Sequence, residues 1–285
     1  MSLNYDALMA SGSNDEPFCY ADVDTMLYAL ATGFGQDPRE SRELDYVYEG
    51  QALKTVPSMA GQHIDLGFLA DCGWDATRVS HAAQQLQLYR PLPVAADLRV
   101  DRRVVAVFDH GRATGASILL ESEVRMAKDD TVLYTLGTTL RAGGDGGFGG
   151  PAGAPGQPHR MPLREADLLC ELPTRADQAL LFRLTGARAA VHADPQRARD
   201  LGFATTPLQE QCVAGIACRA ILRTICEYDF TLISGFDLTF AAPLYPGEHL
   251  TTEMWQDRNI VSFRCTARAR NAVIIDNGKC TLAAS

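Results

Sequence analysis

The chain has 285 residues, 46% hydrophobic and 21% charged, and this ordinary globular composition excludes global disorder. No apolar run approaches the ~20 residues that span a bilayer. Lys and Arg number 26 against 35 Asp and Glu, a net charge of −9 that argues against a nucleic-acid partner, because phosphate neutralisation dominates that affinity. The N-terminal residues carry neither a basic segment nor an apolar core, and Leu282-Ala283-Ala284-Ser285 is not a Ser-Lys-Leu signal, so the expectation is a cytoplasmic protein. The eight cysteines form no Cys-x-x-Cys pair and no zinc-ligand spacing with histidine. They read as reduced core residues, and no metal is expected.

In chain order, Met26–Gly33 (MLYALATG) is followed by Thr55–Ala83, which glycine and proline interrupt too often for a long helix. Leu86-Gln87-Leu88-Tyr89-Arg90-Pro91-Leu92 alternates and then meets a proline. Asp97–Asp109, Ala116–Met126 and Val132–Arg141 carry β-branched residues at period two and predict strands. Ala142–Pro158 (AGGDGGFGGPAGAPGQP) is too rich in glycine and proline for regular structure and reads as a linker or extended loop. No strand-to-helix phosphate cradle surrounds its glycines, and Phe148 is expected to lie over a neighbouring surface. The organisation expected is residues 1–142, a linker at 143–161, and residues 162–285.

The second half repeats the first. Ala179–Gly186 (ALLFRLTG) matches Met26–Gly33, and Leu238-Thr239-Phe240-Ala241-Ala242-Pro243-Leu244 matches the stretch ending at Leu92. Pro91 and Pro243 lie 152 positions apart, and Gly33 and Gly186 lie 153 apart, as a duplicated unit requires. Asp194-Pro195 predicts the start of a short helix that Gly202 ends. Thr206-Pro207-Leu208-Gln209 predicts the start of a long buried helix, with Thr206 as cap, Pro207 in its first turn and Gln209 closing a capping box. Gly215 within that helix fits close packing against a sheet. Phe236–Ala241, His249–Trp255, Val261–Ala269 and Val273–Leu282 predict the closing strands.

His192 falls in an irregular segment between two helices. Such a histidine serves as a general acid or base, or orders its loop by hydrogen bonding. On periodicity alone the class is α+β with a duplicated unit.

The segments ALLFRLTG, HADP, Gly202-Phe203, PLYPGEHLTTEMW and DNGKCTL, with YVYEG, VPSM, LQLYRPLP and GDGGFGGP in the first half, resemble the MaoC-like dehydratases, specifically the R-specific 2-enoyl-CoA hydratases. The resemblance spans nearly the whole chain. It implies a double hotdog, in which two antiparallel sheets each wrap a central helix, and a homodimer. It also implies reversible addition of water to trans-2-enoyl-CoA giving (3R)-hydroxyacyl-CoA, with the acyl-CoA thioester as substrate and no further cofactor.

The family motif Gly-Asp-x-Asn-Pro-Leu-His-x-Asp-Pro falls on Gly186 to Pro195. His192 keeps the family histidine, whereas the aspartate falls on Ala187, the asparagine on Ala189 and the following proline on Ala190. A family His-Gly pair at the long helix falls on Gln209 and Glu210, and a His-Gly-Glu stretch of the first half falls on His81-Ala82-Ala83. Arg90 matches a basic position linked to CoA and Phe240 an aromatic position of the acyl site; Arg188 joins them as a substrate-binding residue. The departures fall on the chemistry, so the resemblance implies a degenerate hydratase site. Three readings stay open: a hydratase with His192 and Glu210 as a rearranged acid–base pair, a non-catalytic acyl-CoA-binding homologue, or a thioesterase-like activity using Glu210. For Glu210 a plain role complementing the helix dipole stands beside these, as do a solvated rim charge for Arg90 and a core aromatic for Phe240.

Overall fold

The computed structural model describes residues 3–50, 52–62, 66–75 and 78–283. Met1, Ser2, Ala284 and Ser285, within the terminal segments considered above, lie outside the described residues, as do His63 to Asp65, Ala76 and Thr77 within the Thr55–Ala83 stretch. The first half comprises α1 (Tyr5–Ala10), β1 (Gly12–Tyr20), α2 (Asp22–Ala31), α3 (Leu44–Val47), β2 (Val79–Leu88), β3 (Ala96–Asp109), β4 (Ala116–Met126) and β5 (Val132–Ala142). The second comprises β6 (Leu168–Pro173), α4 (Gln178–Phe182), α5 (Pro195–Asp200), α6 (Glu210–Thr224), β7 (Ile233–Phe240), β8 (His249–Asp257), β9 (Ile260–Ala267) and β10 (Ala272–Leu282). Among the described residues no helix is long and apolar enough to cross a membrane.

Among the described residues ten strands form one antiparallel sheet in the order β1-β3-β4-β5-β2-β7-β10-β9-β8-β6. The order is symmetric about its centre: β6, β8, β9, β10 and β7 take the places of β1, β3, β4, β5 and β2. At the centre β2 pairs with β7, and Gln85 stands opposite Asp237. Those residues are 152 positions apart, the separation of Pro91 and Pro243, so the duplication axis passes through this pair. Gly33 (φ +95°) and Gly186 (φ +112°), repeat mates in sequence, both adopt the left-handed backbone that favours glycine. The helices before them, α2 and α4, meet through Tyr28 and Phe182, whose rings lie edge to face at 5.9 Å.

The predicted strands form with ends shifted by three residues or fewer. The edge strands β1 and β6 carry weak sequence signals: β1 is polar and contains Pro17, and β6 has six residues, of which Cys170 and Leu172 are buried. Part of the glycine-rich loop is held against the first half. The Asp109 carboxylate accepts the backbone N–H groups of Gly111, Gly147 and Gly149 at 2.7–2.8 Å, and Phe148 stacks on Tyr5 at 6.1 Å.

The halves have diverged at the helix. Where α6 fills the second half, the described residues of the first half between α3 and β2 form 3-10 turns at Pro57–Gln62 and Gly67–Cys72. The expected start of the long helix is corrected. Leu208 N–H bonds the carbonyl of Leu244 at 2.8 Å, so Thr206 to Gln209 run extended along the β7–β8 connection and α6 begins at Glu210. Thr206 therefore caps nothing on α6, and the Gln209 side chain donates to the carbonyl of Ala179 rather than closing a capping box. Gly215 does pack closely, but against the end of α2 and not a sheet: an added Cβ would stand 2.3 Å from Thr32 Cγ2.

Residues Cys212 to Leu222 of α6 are all buried, one of them charged. Arg219 donates through Nε and Nη2 to the two carboxylate oxygens of Glu43 at 2.7 and 2.9 Å. Gly35 N–H and the Tyr228 hydroxyl complete the shell of Glu43 at 2.8 and 2.9 Å. Both members of the pair are at most 2% exposed, and they join the halves. Arg219→Met strands the carboxylate and is expected to cost about 3–5 kcal/mol, read from urea unfolding midpoints; a loss under ~1 kcal/mol would contradict this account. Gly215→Ala is expected to destabilise by about 1–3 kcal/mol despite the better helix propensity of alanine, and thermal melting checks it.

Candidate active site

A cavity of about 660 Å³ opens between the halves. Its second-half wall is the loop from Thr185 to His192 and the start of α6; its first-half wall comes from β1, the Pro57–Gln62 turn and β2. Gly186 ends one 3-10 turn and a second, Ala190–His192, follows. Asp194 then caps α5, accepting Gln196 N–H at 2.8 Å and Arg197 N–H at 3.4 Å, which anchors the loop. His192 Nδ1 lies 3.0 Å from the carbonyl oxygen of Pro207. A carbonyl only accepts, so Nδ1 bears the proton and Nε2 keeps a lone pair. Burial, foremost, holds the imidazole below its ordinary range, so it is neutral near pH 7.

Glu210, the first residue of α6, lines the same cavity. Burial pushes its carboxyl above the usual carboxylate range, toward the protonated form, and outweighs the hydrogen bond from its own backbone N–H. Ala187, Arg188 and Ala189 also line the cavity. The Ala187 methyl packs on the core, and neither alanine has a proton to exchange.

Two residues of the substrate-binding set lie elsewhere. Arg90 follows the end of β2 opposite the cavity and lines a shallow depression with Tyr89, Glu123, Thr131 and Val132. The ten residues of β2, at about 3.3 Å each, separate it from Val79, Ser80 and His81, which line the cavity at the other end of that strand. Phe240 sits behind the wall, its ring 5.1 Å from that of His81.

His81 is the residue that motif reading undervalued; its place in the His-Gly-Glu stretch was the available signal. Its Nε2 donates to the carbonyl of Ala83 at 2.9 Å, and its Nδ1 accepts from the Gln211 amide at 2.8 Å. Gln211 and Gln84, which join it, stand 127 positions apart in the chain and carried no signal. Among the described residues no three His, Cys, Asp or Glu side chains converge on a metal site.

Burial lowers His81 to about 4. An unfolded histidine near 6.5 binds its proton first as pH falls, so this contribution to stability is complete above pH 6.5 and declines from there toward pH 4. Urea unfolding between pH 7 and 4 is expected to show that decline and His81→Gln to flatten it; an unchanged slope would contradict the assignment.

Two family models match the chain: the MFE-2 hydratase 2 N-terminal domain over residues 18–143 and the MaoC like domain over residues 158–283. An enoyl-CoA hydratase of Mycobacterium tuberculosis is 30% identical, with 96% of this chain and 97% of that protein aligned. A 3-hydroxyacyl-thioester dehydratase of the same organism is 32% identical over 94% and 95%. Among solved structures, a MaoC-like dehydratase from Phytophthora capsici superposes with a TM-score of 0.85 at 23% identity, covering 99% of this chain and all of that one. A Mycobacterium tuberculosis protein described as a double hotdog superposes at 0.55 with 15% identity, over 99% and 98%. With a duplicated antiparallel sheet and full-length relatives at this identity, the chain belongs to the MaoC-like dehydratase family and has its double hotdog fold.

Proposed function

We propose that the chain binds an acyl-CoA thioester in the cavity and interconverts trans-2-enoyl and (3R)-hydroxyacyl thioesters through His192 and Glu210. The observation that carries this reading is the pairing of states on one cavity wall: an imidazole with a free Nε2 lone pair, and a carboxyl held toward its protonated form. Addition of water needs a base for the water proton, an acid for C2 and a donor for the thioester oxygen. His192 Nε2 takes the proton as the water oxygen bonds C3, and Glu210 delivers its proton to C2. The proton on His192 then returns to Glu210, so the turnover balances. The N-terminus of α6 favours the negative charge that develops on the thioester oxygen. With Ala187 and Ala189 at the family's aspartate and asparagine positions, the site is degenerate, and turnover is expected to be slower by ~10²–10⁴ than with the full family pair.

Those alanines favour a second reading, a non-catalytic acyl-CoA-binding protein. In either case the chain is read as a homodimer in the cytoplasm, where its eight unpaired cysteines stay reduced.

Hydration of crotonyl-CoA and a longer 2-enoyl-CoA, followed by loss of the enoyl-thioester absorbance, separates the two. Turnover is expected to vanish in His192→Ala and to fall ~10²-fold or more in Glu210→Gln. Full activity in Glu210→Gln would remove Glu210 from the mechanism. An inert protein that gains activity with Ala187→Asp and Ala189→Asn together would establish the binding reading, and release of free thiol would identify hydrolysis instead.

A further inference from the structure

The loop that carries His192 is tied down at few points. Among the described residues the backbone N–H groups of Ala187, Arg188 and Ala189 donate no hydrogen bond. Gly186, just before them, takes the left-handed backbone at φ +112°, and an added Cβ there would meet nothing within 4 Å. Apart from the Ala187 methyl, which packs on the core, the ends of this stretch set its place. At the far end the His192 ring meets the Pro207 carbonyl at 3.0 Å, and Asp194 caps α5. At the near end the Thr185 hydroxyl and the Gly186 N–H bond back to Phe182 and Arg183, which shapes the turn locally. What holds that turn against the other half is Gln62, whose Nε2 donates to the carbonyl of Thr185 at 3.2 Å.

Gln62 stands on a firm base. It ends the 3-10 turn Pro57–Gln62, whose residues Pro57 to Gly61 are all buried. Gly61 presses against the start of α6, where an added Cβ would lie 2.6 Å from Gln211 Oε1. A turn packed in this way does not follow a moving loop. The Thr185 carbonyl only accepts, so the amide nitrogen of Gln62 must face it. Gln62 and Thr185 line the cavity from opposite walls, and Gly186 to Ala189 and His192 line it beyond Thr185. The Gln62–Thr185 bond therefore sets how far the His192 loop stands from the first-half wall.

We infer that Gln62 is a positioning residue for His192: from the first half it holds the Thr185 carbonyl, and so keeps the imidazole in its Pro207 contact and at a set distance from a thioester lying between the two walls. This rests on the role proposed above for His192. It gives the first half a part in the chemistry although that half supplies neither the base nor the acid. Misplacing a reacting group by about 1 Å costs ~10²-fold in rate.

The test pairs ring-nitrogen NMR with kinetics on the full chain, comparing the unaltered protein with Gln62→Met, which keeps the length of the side chain and removes its donor. Above neutral pH the unaltered His192, assigned through a His192→Gln variant, is expected to show one fixed tautomer with the proton on Nδ1. In Gln62→Met the two ring nitrogens are expected to share the proton, while His81, held by Ala83 and Gln211, keeps its pattern. Hydration of crotonyl-CoA is expected to fall about 10–100-fold in kcat with KM little changed. A fixed His192 tautomer in Gln62→Met overturns the inference whatever happens to the melting temperature, because the bond then only joins the halves. Loss of the fixed tautomer in a chain without hydratase turnover keeps the positioning role and removes the hydratase reading. An unaltered His192 that already shares its proton between both nitrogens overturns both. If Gln62→Met fails to fold, Gln62→Glu, of the same length with an acceptor in place of the donor, is expected to give the same result.

Discussion

The pairing of β2 with β7 is the constraint on which the rest of this molecule depends. It joins two five-strand units into one sheet at a register that sets Gln85 against Asp237. A slip by one residue would turn Leu86 and Phe236, both buried, to the opposite face. The same register brings the start of β2, with His81 and Gln84, to the N-terminal turn of α6. The cavity therefore exists only where the halves meet, and neither half closes it alone.

The symmetry of the strands is not shared by the helices. The first half has a 3-10 turn over Pro57–Gln62, and Gly61 lets Gln211 approach it. That turn, through Met59, Gly61 and Gln62, lines the cavity. The surviving helix, α6, is buried on every side over most of its length, and its Arg219 must be answered inside the core. Glu43 answers it with both oxygens, which ties the helix to the opposite half. Breaking such a pair is costly because the remaining charge stays buried.

Desolvation sets the character of the site. It depresses His81 and His192 and raises Glu210, so these three groups are driven toward their neutral forms. Backbone carbonyls then decide where the protons sit: Pro207 orients His192, and Ala83 orients His81. The extended run from Thr206 to Gln209, which delays the start of α6, also brings the Pro207 carbonyl to His192.

The sequence by itself determined the repeat, the inner strands and the loop that carries His192. These depend on local alternation, on turn residues and on comparison of the chain with itself. It did not determine where α6 begins, because the Leu208–Leu244 hydrogen bond competes with the cap at Thr206. Nor did it show that Gly215 meets Thr32, that Arg90 lies away from the cavity, or that Gln84 and Gln211 face each other with one unused atom each. Each of those facts joins or separates residues far apart in the chain. Only the assembled fold brings them to a fixed distance, because periodicity reports which face a residue takes and not what stands opposite it.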